Sequence, residues 1–366
     1  MAKRTLDSGR AAIVSGMVLF CTMAAVAGSG AMEKEIDALM EPFNRPGAPG
    51  ASVAIFREGA IVLAKGYGLA HIEQKVPADE FTNYRLASVS KQFTAMAILI
   101  LTERGRLDLD DPLSKFFPAF PEIGSRITVR HLLHHTSGII DYEDLIPADF
   151  AGQVKERDVL ALLQTQQGAY FTPGTEYRYS NSGYGLLALI VEEVSGQSYA
   201  AFLEANIFHP LGMKDTVAFE EGISNVKRRA YGYRQTEDGF VFNDQSRTSA
   251  VLGDGGVYTS VMDYFRWDQA LYTDRLVRCS LLEEAFTPAT LPDGRSTGYG
   301  FGWRIEDRAD ALRLIYHNGL TCGFNTAVRR VPEKRLTVVI LTNRNGKRAR
   351  LIADQLLDLL LSESAE

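Results

Sequence analysis

The chain has 366 residues, 46% of them hydrophobic and 23% charged, an ordinary globular composition that excludes disorder as its general state. Its length suits one large or two modest domains. A formal net charge of -6 supplies no overall field that would draw a polyanion, so nucleic acid is not an expected partner.

The N-terminus reads as an export signal. Lys3, Arg4 and Arg10 precede an apolar run over 11–27, and small residues follow it, with cleavage expected after Ala27 or after Ala31. Residues 1–31 are therefore taken as a signal peptide. The mature chain is expected in the periplasm or the medium, in association with the cell envelope. Cys21 follows Phe20, which does not suit a lipidation motif. The mature chain keeps Cys279 and Cys322, whose spacing is not of a metal-binding kind, and both are expected as free, buried thiols.

A short amphipathic helix is expected over 32–41. The Val-, Ile- and Ala-rich segments 51–56 and 60–67, joined by Arg57-Glu58-Gly59, predict a β-hairpin. A helix is predicted over 89–104, with Val89, Phe93, Met96, Ala97 and Ile100 on one face and Gly105 as its left-handed stop. Further helices are predicted over 129–134, 156–164, 183–194 with Gly196 closing it, and 199–207. From Gly253 onward the pattern returns to strands at 303–305, 327–330 and 336–341. A last helix over 349–361 carries its apolar face on Leu351, Ile352, Leu356, Leu359 and Leu360. Strands at both ends of the chain around a helical block predict an α+β fold. In it, an antiparallel sheet domain (32–88 and 253–366) is flanked by N- and C-terminal helices. A mostly helical domain (89–252) is inserted, with the active site between the two.

Ser88-Val89-Ser90-Lys91 is an S-x-x-K tetrad near a helix start, where positions i and i+3 bring an amine within reach of a hydroxyl. The helix N-terminus favours developing negative charge there. The tetrad is not distinctive alone, because Ser224-Asn225-Val226-Lys227 repeats it. Tyr179-Ser180-Asn181 is a Y-x-N triplet directly before a helix. A phenol beside an ammonium can shuttle protons, and an asparagine amide can both donate to and accept from a substrate. The bland reading packs Tyr179 in the core and makes Asn181 a helix cap. His317-Asn318-Gly319 is the one H-x-G in the sequence, and its glycine would let a substrate backbone approach.

In that order, S-x-x-K, Y-x-N and H-x-G resemble the serine β-lactamase and penicillin-binding-protein superfamily. The likeness is to the branch holding class C β-lactamases, DD-peptidases, D-aminopeptidases and related esterases. The stretches 127–138, 173–181, Pro210-Leu211-Gly212-Met213 and 255–260 are similar to that branch too, so the likeness covers most of the mature chain. The resemblance implies a β-lactamase/transpeptidase-like fold. It makes Ser88 the nucleophile, Lys91 its activator, Tyr179 the proton shuttle and Asn181 a substrate-holding residue. The backbone N–H groups of Ser88 and Leu320, with Gly319 beside them, would form the oxyanion hole. The implied activity is hydrolysis of an ester, an amide or peptide, or a lactam through a Ser88 acyl-enzyme, on a small-molecule or peptide substrate.

His317 stands where many of these enzymes carry lysine, and a histidine of ordinary pKa is only partly charged at neutral pH. Esterase or D-amino-acid peptidase activity is therefore preferred to β-lactamase or DD-carboxypeptidase activity. A sensor or binding module acylated without turnover is the non-enzyme alternative. His131, His134 and His135, at i, i+3 and i+4, raise a zinc hydrolase as a rival. Adjacent His134 and His135 point differently, however, and no convincing third-ligand motif accompanies them, so no metal or cofactor is expected. No G-x-S-x-G elbow marks an α/β-hydrolase.

Overall fold

The computed structural model describes residue 30 and residues 32–362. Cys21 and, but for residue 30, the expected export segment lie outside the described residues. Two compact units are distinguished, one ending at Pro42 and one spanning Phe43–Glu366. In the first, a helix covers 32–40.

The second unit is built on a six-stranded antiparallel sheet. Its spatial order is Arg304–Asp307, Arg313–Thr321, Phe324–Val331, Leu336–Thr342, Ala51–Arg57, Ala60–Tyr67. Chain-terminal strands thus share one sheet, as the patterning predicts. The hairpin link is Glu58-Gly59 alone, with φ of 51° and 81°, the two left-handed positions that a tight hairpin turn requires. Every residue of Phe324–Val331 and Leu336–Thr342 is buried, because both faces of the sheet are covered. Successive strand residues point to opposite faces. Arg329 pairs with Asp354 of the C-terminal helix Arg348–Ser362, while Arg330 pairs with Asp268 of the helix Val261–Ala270. Those two helices therefore sandwich the sheet.

Between the strands lie the helices Lys91–Glu103, Glu156–Gln164 and Asn181–Ser195, close to their predicted bounds, with Gly105 and Gly196 in the left-handed region. The predicted one-sided face of the first is corrected: Lys91 through Leu101 are all buried, so this helix runs through the core. The helix starting at Tyr199 turns through a π-segment, Glu204–Phe208.

Several elements escape the sequence patterns, among them the hairpin Tyr233–Thr236 and Gly239–Phe242 inside the predicted helical block. The strand Arg313–Thr321 contains His317-Asn318-Gly319, residues that favour turns. The return to strands after Gly253 holds only in part, since helices Val261–Ala270 and Cys279–Ala285 intervene. The first is rich in aromatic residues, poor helix formers, and depends on Ser260, whose hydroxyl accepts from the Asp263 N–H. In the last helix Leu351 is exposed and Leu357 is buried. Both cysteines are free, but Cys279 is exposed at the start of its helix and Cys322 is half-buried, so the expected burial is corrected.

Arg330 is fully buried, and Asp268 accepts both from its Nε at 2.7 Å and from Thr337 at 2.8 Å. Removing one partner of such a pair strands a charge in the core. Asp268→Ala should lower the unfolding free energy by about 3–5 kcal/mol in urea titration. A loss below about 1 kcal/mol, the range of exposed pairs, would contradict this account.

Candidate active site

Ser88 sits in a 3-10 turn, Ala87–Ser90, that leads into the helix Lys91–Glu103. Such a turn brings i and i+3 side chains into line, which serves the S-x-x-K spacing well. Ala87 has φ of 50°, a conformation that costs a non-glycine residue energy and persists only where the surroundings impose it. They do so here. The Leu86 N–H donates to the Val257 carbonyl (2.8 Å), the Thr326 hydroxyl donates to the Leu86 carbonyl (2.9 Å), and the Val257 N–H donates to the Ser90 hydroxyl (3.0 Å). Gly319 lies against the same turn: a Cβ there would come 2.1 Å from the Leu86 oxygen and 3.1 Å from the Ala87 Cβ. Within Ala87–Ser90 only Ser88 is not buried.

The Lys91 ammonium is wholly buried and donates to three neutral oxygens: Ser88 Oγ at 3.3 Å, Asn181 Oδ1 at 2.8 Å and the Asp254 carbonyl at 2.7 Å. The Asp254 segment is fixed by the half-buried Glu156, whose carboxylate accepts the N–H groups of Leu252 and Gly253. Ser180, not Asn181, caps the helix Asn181–Ser195, so the bland reading of Asn181 fails. Its amide is instead held on both sides. Oδ1 faces Lys91, Nδ2 donates to Glu143 at 3.1 Å, and its backbone N–H donates to Asp141 at 3.0 Å. Burial raises the carboxyl pKa of both Asp141 and Glu143.

The Tyr179 ring centroid lies 5.0 Å from the Lys91 amine, a cation over an aromatic face. Its hydroxyl is buried without a hydrogen-bond partner among the described residues. Buried polar groups are nearly always paired, so an orphaned phenol beside a serine–lysine pair invites a chemical explanation.

Two cavities meet at this point, and Ser88 and Leu320 line both. The larger, about 720 Å³, is bordered also by Tyr179, Arg304, His317 and Gly319. The smaller, about 60 Å³, is bordered by Asn181, Glu143, Tyr142 and Asp254, whose carboxyl pKa is pushed up to about 7 by burial. Beyond Tyr316, which pairs with Arg304, the strand Arg313–Thr321 has no partner strand on that side. His317, Asn318, Gly319 and Leu320 thus present a free edge to the larger cavity.

His317 departs from its expected state. It is buried, and burial together with the nearby Lys91 lowers its pKa to about 3, so it is neutral rather than partly charged. Its Nδ1 lies 2.8 Å from the Asn318 carbonyl, which can only accept, so Nδ1 carries the proton and Nε2 accepts from the Tyr299 hydroxyl at 3.0 Å. One accessible cation is Arg304, which sequence patterns pass over as a strand residue. It is half-buried in the larger cavity, 5.7 Å from the Tyr179 ring centroid, and forms no ion pair among the described residues. Arg308 and Arg329 in the same cavity are paired, with Asp358 and Asp354, while the exposed Arg350 borders it as a second cation.

The second tetrad is not a site of this kind. Ser224 Oγ bonds the Ala218 carbonyl, and the Lys227 amine reaches Asp215 at 2.9 Å. The three histidines of the zinc rival part company. His131 Nδ1 accepts from the Thr128 N–H, His134 Nδ1 faces the Tyr299 carbonyl, and His135 Nδ1 accepts from the Ser180 N–H.

A family model described as Beta-lactamase matches residues 32–362. The chain is 33% identical over 325 residues to Penicillin-binding protein 4* of Bacillus subtilis (strain 168), spanning 85% of this chain and 72% of that protein. It is 30% identical over 329 residues to the protein flp of Staphylococcus aureus (strain MRSA252). That match takes in 86% of this chain but only 64% of flp, less than two thirds of the relative's length. Among solved structures, the octameric penicillin-binding protein homologue from Pyrococcus abyssi superposes with a TM-score of 0.79 at 31% identity, over 91% of this chain and 77% of that one.

The close fit of Gly319 against the Ser88 turn gives a direct test. Gly319→Ala must push Leu86 and Ala87 away, and a displacement near 1 Å at a reacting centre costs roughly a hundredfold in rate. Hydrolysis of p-nitrophenyl acetate should fall by about that factor. Unchanged turnover would show that the turn does not depend on this contact.

Proposed function

The chain belongs to the Beta-lactamase family and is a serine hydrolase, and on that footing we propose that Ser88 is its nucleophile. In this reading Ser88 Oγ attacks the substrate carbonyl carbon. Its proton passes to the Tyr179 hydroxyl oxygen as that hydroxyl gives its own proton to the departing alcohol or amine and the C–O or C–N bond breaks, while the Lys91 ammonium stabilises the developing alkoxide. The N–H groups of Ser88 and Leu320 stabilise the intervening oxyanion, while Asn181 orients the substrate beside Gly319. Water then attacks the acyl-enzyme by the reverse proton path. The observation that carries the reading is the junction itself. Ser88, Lys91 and Asn181 are bonded in one chain, and the unpartnered Tyr179 hydroxyl belongs to a residue bordering the same cavity.

The preferred substrates are esters and D-amino-acid peptides or amides, with Arg304 holding a carboxylate in the larger cavity. Arg304 also bears on the second reading. The case against β-lactams and DD-carboxypeptidase substrates rested on the weak charge of His317, and an arginine bordering the same cavity removes that objection. The sheet domain and the helical domain over 89–252 are taken as the two sides of this cleft. Export, directed by residues 1–31, would place the enzyme in the periplasm or the medium, against the cell envelope.

Arg304→Gln should raise KM about tenfold or more for a D-alanyl-D-alanine peptide, the worth of a hydrogen bond to a charged group, and leave KM for the same peptide with an amidated C-terminus unchanged. Equal effects on both peptides would remove Arg304 as the anchor. Because arginine stays charged, the ratio of KM for the carboxylate peptide to that for its amide should also be flat between about pH 5.5 and 8. A histidine anchor of ordinary pKa would instead weaken about tenfold for each unit above roughly pH 6.5.

A further inference from the structure

His135 follows the helix Val129–Leu133 and adopts φ of 60°, a left-handed position usually given to glycine or asparagine. Histidine there costs energy, yet the residue is almost completely buried, with 1% of its surface exposed. What it touches accounts for the choice. Its carbonyl accepts the Arg178 N–H at 3.0 Å, and its Nδ1 accepts the Ser180 N–H at 3.2 Å. These are the two residues on either side of Tyr179. Between those bonds the imidazole lies against the Tyr179 ring, with centroids 4.2 Å apart and planes inclined by 40°. The rings of Tyr299 and Tyr184 pack on it at 4.5 and 5.0 Å.

Burial, with Lys91 nearby, keeps the imidazole neutral, and because Nδ1 accepts, its proton is on Nε2. That N–H is itself buried without a partner among the described residues. A residue serving only to fill space here would do better as an apolar side chain, or as glycine for the backbone.

We propose that His135 is the positioning residue of Tyr179, gripping residues 178 and 180 through its carbonyl and ring nitrogen while its ring face holds the phenol beside the Ser88–Lys91 pair. The arrangement lets the Tyr179 hydroxyl remain unbonded, and so available to a proton, without the ring swinging away. This inference rests on the role given to Tyr179 above.

The test uses His135→Gly, which relieves the backbone and keeps the carbonyl bond to residue 178 but removes the ring and its Nδ1, and His135→Asn, which tolerates the left-handed position and retains an acceptor for the Ser180 N–H. With p-nitrophenyl acetate, His135→Gly should lower kcat roughly tenfold or more with KM within about twofold, and His135→Asn should recover a large part of the loss. The same substitution in a Tyr179→Phe background should cost nothing further, since the group it positions is gone. If Tyr179→Phe alone leaves kcat intact, the assignment of Tyr179 fails. If Tyr179→Phe lowers kcat but His135→Gly lowers it equally in both backgrounds, or changes only the thermal midpoint, the positioning role is overturned.

Discussion

The requirement that a wholly buried ammonium be fully hydrogen-bonded organises the centre of this protein. An unpaired charge in the interior is prohibitively costly, and Lys91 meets the condition with three oxygens, one from its own turn and two from distant segments. Its own turn supplies Ser88, the start of the helix Asn181–Ser195 supplies Asn181, and the short helix Leu252–Gly255 supplies the Asp254 carbonyl. Each supplier is held in turn. Asp141 and Glu143 bind Asn181, and Glu156 binds the backbone that precedes Asp254. Solvating one amine thus fixes the relative positions of a hydroxyl, an amide and the cavities between them.

The same centre carries backbone strain. Left-handed residues at Ala87 and His135, each of a type that ordinarily avoids that region, flank the nucleophile candidate and the tyrosine candidate respectively. Such conformations cost of order 1–3 kcal/mol each and survive only where packing dictates them. At Ala87 the dictating contact is the strand carrying Gly319, which admits no side chain. The H-x-G glycine is therefore explained by the approach of two backbones within the protein before any substrate enters.

These contacts also explain how far the sequence could be read. Ser88, Lys91, Tyr179, Asn181 and His317 are legible because their chemistry resides in side chains at recognisable spacings. The structure brings all five to one place. The two strands of the hairpin 51–67 and the helix caps at Gly105 and Gly196 are legible because local patterning specifies them. Asp254 was not, since it acts on Lys91 through a main-chain carbonyl, which every residue type possesses. Arg304 was not, because only the strand register, Arg304 opposite Tyr316, carries it to the cavity. The charge of His317 was misjudged for a related reason: a pKa depends on burial and on neighbours such as Lys91, and neither is visible in a tripeptide.

On the proposed reading the carboxylate anchor accordingly moves from His317 to Arg304, which leaves the chemistry proposed at Ser88 untouched and lifts the objection to β-lactams as substrates. The central claim is covalent attack by Ser88. It is tested most directly by labelling with a fluorophosphonate and locating the adduct by peptide mass analysis, in the unaltered chain and in Lys91→Ala. The account predicts one adduct per chain, on the peptide bearing Ser88, forming far more slowly without the Lys91 amine. A stoichiometric adduct on another residue, such as Ser224, or labelling of Ser88 at an unchanged rate in Lys91→Ala, would contradict it.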